Sequence, residues 1–181
     1  MKLLKFVSLA FAALALTFAR PAAAADPENT LVMELAWGKV VIEMLPDLAP
    51  NHVARIKELV RKGFYDGTPF HRVIDGFMAQ GGDPTGTGTG GSGQNLRAEF
   101  SGEPFVRGIV GMARSNALNS ADSQFFIMLG SAPALDGRYT IWGRVIEGME
   151  NVDKITKGPS DSGIVSRPDK LIRLRVAADV K

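Results

Sequence analysis

Phe70-His71-Arg72-Val73-Ile74-Asp75-Gly76-Phe77-Met78-Ala79-Gln80-Gly81-Gly82-Asp83 is the stretch from which the rest of the chain can be read. Two short apolar runs, Phe70 to Ile74 and Phe77 to Gln80, are punctuated by glycine and read as short strands. One arginine, Arg72, and one glutamine, Gln80, stand among their large apolar side chains. Upstream, Leu31, Met33 and Leu35 alternate with Val32 and Glu34, a turn follows at Trp37-Gly38, and Val40, Ile42 and Met44 alternate again, the pattern of a β-hairpin. Pro50 then opens a helix in which Val53, Ile56, Leu59 and Val60 recur at helical spacing, and Gly63 stops it. Downstream, Ile109 to Ala113, Phe125 to Leu129, Trp142 to Val145 and Ile172 to Val176 bring the strands to eight, with a weaker helix over Gly148 to Thr156. The expected fold is mainly β: a closed eight-stranded antiparallel barrel capped by two helices, because closure removes exposed strand edges. An open sandwich stays compatible, since Ile172, Leu174 and Val176 inward with Arg173 and Arg175 outward suits either.

The 181 residues are 45% hydrophobic and 22% charged, ordinary globular composition that fits one domain. The chain has no cysteine, which excludes disulfides, thiolate zinc sites, iron–sulfur clusters and thiol nucleophiles. Residues 1–25 have the form of a cleaved secretory signal: Lys2 and Lys5, the apolar run Phe6 to Ala19, and the small residues Ala22 to Ala25. That run is too short to span a bilayer comfortably. The mature domain is therefore expected over 26–181, periplasmic, or secreted if the host lacks an outer membrane. Of the 21 basic residues, Lys2, Lys5 and Arg20 lie in the leader, so 21 less 3 leaves 18 against 19 acids. A nearly neutral mature chain carries no nucleic-acid footprint.

The glycine-biased run Asp83 to Gly93 invites a phosphate-binding reading, but Gly91-Ser92-Gly93-Gln94 lacks the lysine and following helix of a P-loop, and the flanking glycines of a nucleophile elbow. It reads as a flexible surface loop shaping a groove. The two histidines are His52, on the first turn of the helix, and His71, inside an apolar run, where a buried imidazole hydrogen-bonded to backbone is the ordinary role. Neither sits in a metal-ligand motif, so no metal or other cofactor is expected. By pattern alone Arg72 is as readily a partner for Asp83 or Glu99, and Phe77, Met78, Phe126 and Leu135 as readily core residues.

Further along, Gly111-Met112-Ala113-Arg114 and Ser123-Gln124-Phe125-Phe126-Ile127 add a second set of the same kind. With Phe70 to Asp83, Gly88-Thr89-Gly90-Gly91 and Leu135-Asp136-Gly137, they form an ordered series over Leu31 to Val176 that resembles the cyclophilins, the barrel-shaped peptidyl-prolyl cis-trans isomerases. Asp75 stands where the family usually has proline. The resemblance implies that Arg72 is the catalytic arginine, and that Phe77, Met78, Phe126 and Leu135 line a proline pocket. It also implies that Gln80 and Gln124 make polar contacts, and that Ala113 and the backbone of Arg114 grip the residue before proline. The substrates implied are proline-containing segments of folding polypeptides, with no nucleic acid and no membrane once the leader is gone. Ala134 replaces the tryptophan of well-known members, so weak cyclosporin binding is expected. Tyr139 and Arg114 replace a histidine and an asparagine, as in bacterial exported cyclophilins. A proline-peptide binding module and an unrelated β-barrel ligand binder are the competing classes; the second requires Arg72 to lie away from Phe126.

Overall fold

The computed structural model describes residues 25–180. The leader expectation therefore lies, but for Ala25, outside the described residues. Eight strands occur where the alternation places them: β1 (Thr30–Leu35), β2 (Gly38–Met44), β3 (Arg72–Ile74), β4 (Met78–Gly81), β5 (Ile109–Met112), β6 (Phe125–Met128), β7 (Ile141–Glu147) and β8 (Arg173–Val176). They form one antiparallel sheet in the order β3-β4-β6-β5-β7-β2-β1-β8.

The sheet curls into an open half-barrel, which corrects the expectation of closure, because its terminal strands β3 and β8 do not pair with each other. The chain between Gly163 and Leu171 fills the gap with isolated bridges, Arg72 to Ile164 and Pro69 to Lys170. Single backbone bonds join them, from Val73 N–H to Gly163 O (2.7 Å), Val165 N–H to His71 O (3.0 Å) and Phe70 N–H to Asp169 O (2.9 Å). Gly163 lies in the left-handed region, at φ 70°, and Pro168 has no N–H to give, so this segment cannot extend as a regular ladder.

Period-2 alternation divides the sheet's side chains between two apolar clusters. Val73, Ala79, Val110, Met112, Phe125 and Ile127 enter the main core with Leu31, Ile42, Ile56, Trp142 and Leu174. Met78, Phe126 and Met128 point the other way, into a smaller cluster with Phe105 and Ile141. Phe125, buried in the main core, meets Tyr65 and Trp142 edge-on, with ring centroids 5.7 and 6.0 Å apart. Each such side chain contributes about 1.5–3 kcal/mol by burial. Two-sided burial explains why Phe125-Phe126-Ile127-Met128 is apolar throughout.

Helix α1 (Pro50–Arg61) buries the four apolar residues read from its sequence, together with His52. Its N-cap, Ala49, has no side chain that can accept a bond. Glu99 supplies the cap from a distant loop, accepting from Asn51 N–H (3.1 Å), His52 N–H (3.0 Å) and His52 Nδ1 (2.6 Å). An anionic acceptor there satisfies otherwise unpaired N–H groups at the positive end of the helix. Helix α2 (Met149–Val152) is shorter than Gly148 to Thr156 and continues as turns.

Candidate functional site

The strand registers place Arg72 opposite Gln80, Gln80 opposite Phe126, and Phe126 opposite Gly111. Directly opposed residues share a face, so these four form a row across β3, β4, β6 and β5 on the side away from the main core. Met78, two residues from Gln80, shares that face.

Above this row lies a cavity of about 130 Å³ lined by Arg72, Phe77, Met78, Gln80, Ala113, Arg114, Phe126, Leu135 and Tyr139. Every site residue named from the sequence thus meets in one place, except Gln124. That residue lines an adjoining cleft of about 410 Å³ which shares Gln80, Ala113 and Arg114 with the cavity and is walled by Gly88 to Gly91. Arg72 and Phe126 face the same space, which removes the reading that needed them apart. Ala134 is exposed on the 3-10 turn Pro133–Leu135, which presents Leu135 to the cavity.

The apolar wall is an aromatic trio. Phe105 stacks on Phe126 at 5.8 Å and 28°, and Tyr139 meets both edge-on, at 6.4 and 5.9 Å. The stack requires Gly111: a Cβ there would lie 2.7 Å from Phe126 Cζ and 2.8 Å from Phe105 Cε1. The Arg114 guanidinium covers the Tyr139 ring at 4.5 Å and is held by Arg138 O (2.9 Å) and Ser115 O (2.9 Å), so its side chain serves as a fixed wall. The Ala113 N–H donates to Gln124 O (2.9 Å) and is not free to bind a ligand.

Arg72 is half-buried and forms no ion pair among the described residues; neither Asp83 nor Glu99 is its partner. Its Nε donates to Ser162 O (3.1 Å) and its Nη1 to Gln80 Oε1 (3.4 Å). Gln80 Nε2 in turn donates to Gln124 Oε1 (2.9 Å). Gln124 Nε2 donates to Gly88 O (3.0 Å) and Gly90 O (2.8 Å) in the glycine loop.

That loop lines a groove, as read from the sequence, but it is not left loose. Asp83, fully buried, accepts from Thr85 N–H (2.7 Å), Thr85 Oγ1 (2.8 Å), Gly88 N–H (2.7 Å) and Gly90 N–H (3.0 Å). Burial alone would raise the Asp83 pKa, but these donors outweigh it and hold the carboxyl at about 2. The far end of the loop is tied by Asp122, which accepts from Ser92 Oγ and from Gly93 N–H (2.8 Å). His71 is buried as expected; neither ring nitrogen makes a hydrogen bond of ordinary geometry, and desolvation lowers its pKa, outweighing the nearby Pro69 carbonyl, which favours the protonated ring.

Among the described residues, no group of three or more His, Asp or Glu side chains is placed to hold a metal ion. Phe105 and Ser162 were missed by sequence reasoning. Phe105 lies outside every strand and helix read from the sequence, and Ser162 contributes only a carbonyl, which side-chain identity does not disclose.

A family model described as cyclophilin type peptidyl-prolyl cis-trans isomerase matches residues 30–177. A probable peptidyl-prolyl cis-trans isomerase of Brucella suis is 54% identical over 185 residues, covering 95% of this chain and 94% of that one. Peptidyl-prolyl cis-trans isomerase B of Bacillus subtilis is 42% identical over 122 residues, covering 66% and 85%. Among solved structures, the cyclophilin AquaCyp293 of Hirschia baltica superposes with a TM-score of 0.78 at 32% identity, covering 87% of this chain and 77% of that one. A Cryptosporidium parvum cyclophilin determined in the presence of the dipeptide Ala-Pro gives 0.74 at 30% identity, covering 81% and 98%.

Proposed function

The chain belongs to the cyclophilin-type peptidyl-prolyl cis-trans isomerases, and from that premise we propose that it accelerates Xaa-Pro rotation in exported polypeptides, with Arg72 as the catalytic group. Rotation faces a barrier of ~18–20 kcal/mol because amide resonance must be broken, and no proton transfer or covalent intermediate is required. As the bond twists, the prolyl nitrogen recovers its lone pair and becomes a better hydrogen-bond acceptor. A guanidinium fixed beside it then binds the twisted form more strongly than either planar isomer.

The observation that carries this reading is the anchoring of Arg72. Two of its nitrogens are held by Ser162 O and Gln80 Oε1, while Nη2 makes no bond among the described residues and the side chain lines the cavity beside Phe77, Met78, Phe126 and Leu135. The donor is thus oriented before substrate arrives and stays permanently charged. One charge-assisted hydrogen bond is worth roughly 1.5–3 kcal/mol, whereas a 10⁵-fold acceleration needs about 7 kcal/mol. The remainder falls to the cavity: Phe77, Met78, Phe126 and Leu135 hold the proline ring while the preceding carbonyl turns. The adjoining cleft takes the residues before proline, with Ala113 and Arg114 at the junction.

Exchange NMR on an Ala-Pro peptide tests the assignment directly. Wild type at low micromolar concentration broadens or exchanges the cis and trans signals, and Arg72→Ala does so at least about tenfold less while melting at nearly the same temperature. Equal exchange by both proteins would remove Arg72 from the mechanism. The leader implies action outside the cytoplasm, in the periplasm where an outer membrane exists. Intact mass of the exported protein should begin near Asp26, and a mass that includes Met1 would overturn this.

A further inference from the structure

We propose that Asp83, which touches no substrate, is a positioning residue that decides which end of the Gln80 amide faces Arg72. The proposal rests on the isomerase reading of the site. A glutamine amide can turn over by 180° at almost no change in shape, exchanging its acceptor oxygen for a donor NH2. With its oxygen toward Arg72, Gln80 fixes the guanidinium; with its NH2 there, donor would face donor and the arginine would be pushed off its position. Nothing within Gln80 selects the first state.

The selection is made by a directional relay. Gln124 lies against two carbonyl oxygens, Gly88 O at 3.0 Å and Gly90 O at 2.8 Å, so its NH2 must point to the loop. Its Oε1 then faces Gln80, which must offer its own NH2, at 2.9 Å. That leaves Gln80 Oε1 for Arg72. Each amide turned over would lose bonds and set like against like, so the polarity at Arg72 is determined by the two glycine carbonyls.

Those carbonyls belong to the residues whose N–H groups Asp83 holds. One carboxylate oxygen takes Thr85 N–H and Oγ1, and the other takes Gly88 N–H and Gly90 N–H. All four partners are donors, so only a group that accepts at both ends fits; an asparagine would turn its NH2 against two of them. Gly90 must also lack a side chain, since a Cβ would fall 2.1 Å from Asp83 Oδ1. The buried carboxylate therefore fixes the loop backbone at the two points that orient Gln124.

Asp83→Asn is the test, measured by peptide exchange in the wild-type and Gln80→Glu backgrounds. In the wild-type background, with a minimal Ala-Pro peptide seated in the smaller cavity, kcat/KM should fall about tenfold, carried by kcat with KM within about twofold, because none of the side chains lining that cavity is changed. A carboxylate at position 80 has no donor end to turn toward Arg72 and needs no relay; its second oxygen would face Gln124 Oε1, a cost common to both members of the pair, so in that background the same substitution should cost less than about twofold. An equal cost in both backgrounds, no cost at all, or a loss carried by KM would overturn the proposal. Should Asp83→Asn fail to fold, Asp83→Glu, which keeps a carboxylate but shifts it from the four donors, takes its place with the same expected and contrary outcomes. A wild-type chain without turnover sinks the isomerase reading and this proposal with it, whereas an active wild type with a background-independent loss sinks the proposal alone.

Discussion

Gly111→Ala tests whether the aromatic wall, and not Arg72 alone, sets the rate. The new Cβ would stand 2.7 Å from Phe126 Cζ, 2.8 Å from Phe105 Cε1 and 3.1 Å from Phe126 Cε2, where unstrained carbons keep about 3.5–4.0 Å. About an ångström must be found by moving rings. Phe105 and Phe126 are already stacked, and Tyr139 stands edge-on to both, so the displacement passes into the cavity wall. Overpacking of this kind costs ~1–3 kcal/mol. At ~2–4 °C per kcal/mol for a domain of this size, thermal melting should show a fall of several degrees. A reacting group misplaced by about an ångström can cost on the order of 10²-fold, so peptide exchange should fall by at least about tenfold. Phe105→Leu should itself destabilise, yet when combined with Gly111→Ala it should restore part of both quantities, because it vacates the position of one clashing atom. Melting and exchange both unchanged in Gly111→Ala would refute the reasoning.

Arg72→Lys should lose at least about tenfold in exchange with little change in melting, because a point charge on a flexible stem cannot hold Ser162 O and Gln80 Oε1 while leaving a donor oriented. Gly163→Ala should cost ~1–3 kcal/mol and lower exchange as well, since its Cβ would fall 2.4 Å from Ile74 Cγ1 at a φ of 70°, displacing the loop that offers Ser162 O. Glu99→Gln should lower stability at pH 7 by ~0.5–2 kcal/mol. Burial opposes ionisation of Glu99, but His52 and the helix N–H groups outweigh it and hold its pKa below the ordinary 4.5. Its stabilisation is therefore full above pH 4.5 and lost as the pH falls through the folded value, and the gap between variant and wild type, followed by melting, should close in acid. In a cyclosporin titration, wild type should bind weakly and Ala134→Trp on the order of tenfold more tightly, by restoring an aromatic anchor at the rim.

The strands were legible because alternation is a local property: Leu31, Met33 and Leu35 declare a buried face whichever strand lies beside them. Closure was not, because it depends on Gly163 to Leu171 running alongside β3 as isolated bridges, and a chain with Pro168 in it can touch a strand without becoming one. The cavity-lining side chains were legible only as part of a family series; by pattern, Met78 and Phe126 are indistinguishable from core residues, and both are in fact buried. What the side chains could not reveal is the work of backbone: Ser162 O, Gly88 O and Gly90 O hold Arg72 directly or through two glutamines, and a carbonyl has no letter in the sequence. Asp83 could be read as a charge beside a loop, but the four donors converging on it exist only once the loop is folded.

The alternation along β6 has a consequence for how this protein can change. Phe125 and Ile127 belong to the interior while Phe126 and Met128 belong to the opposite side, and β4 is divided the same way between Ala79 and Met78. Interleaved positions thus belong to different packing units, one set to the interior and the other to the smaller cluster that backs the cavity. A library confined to Met78 and Phe126 would reshape the cavity wall without entering the main core, at the stability cost of repacking the smaller cluster.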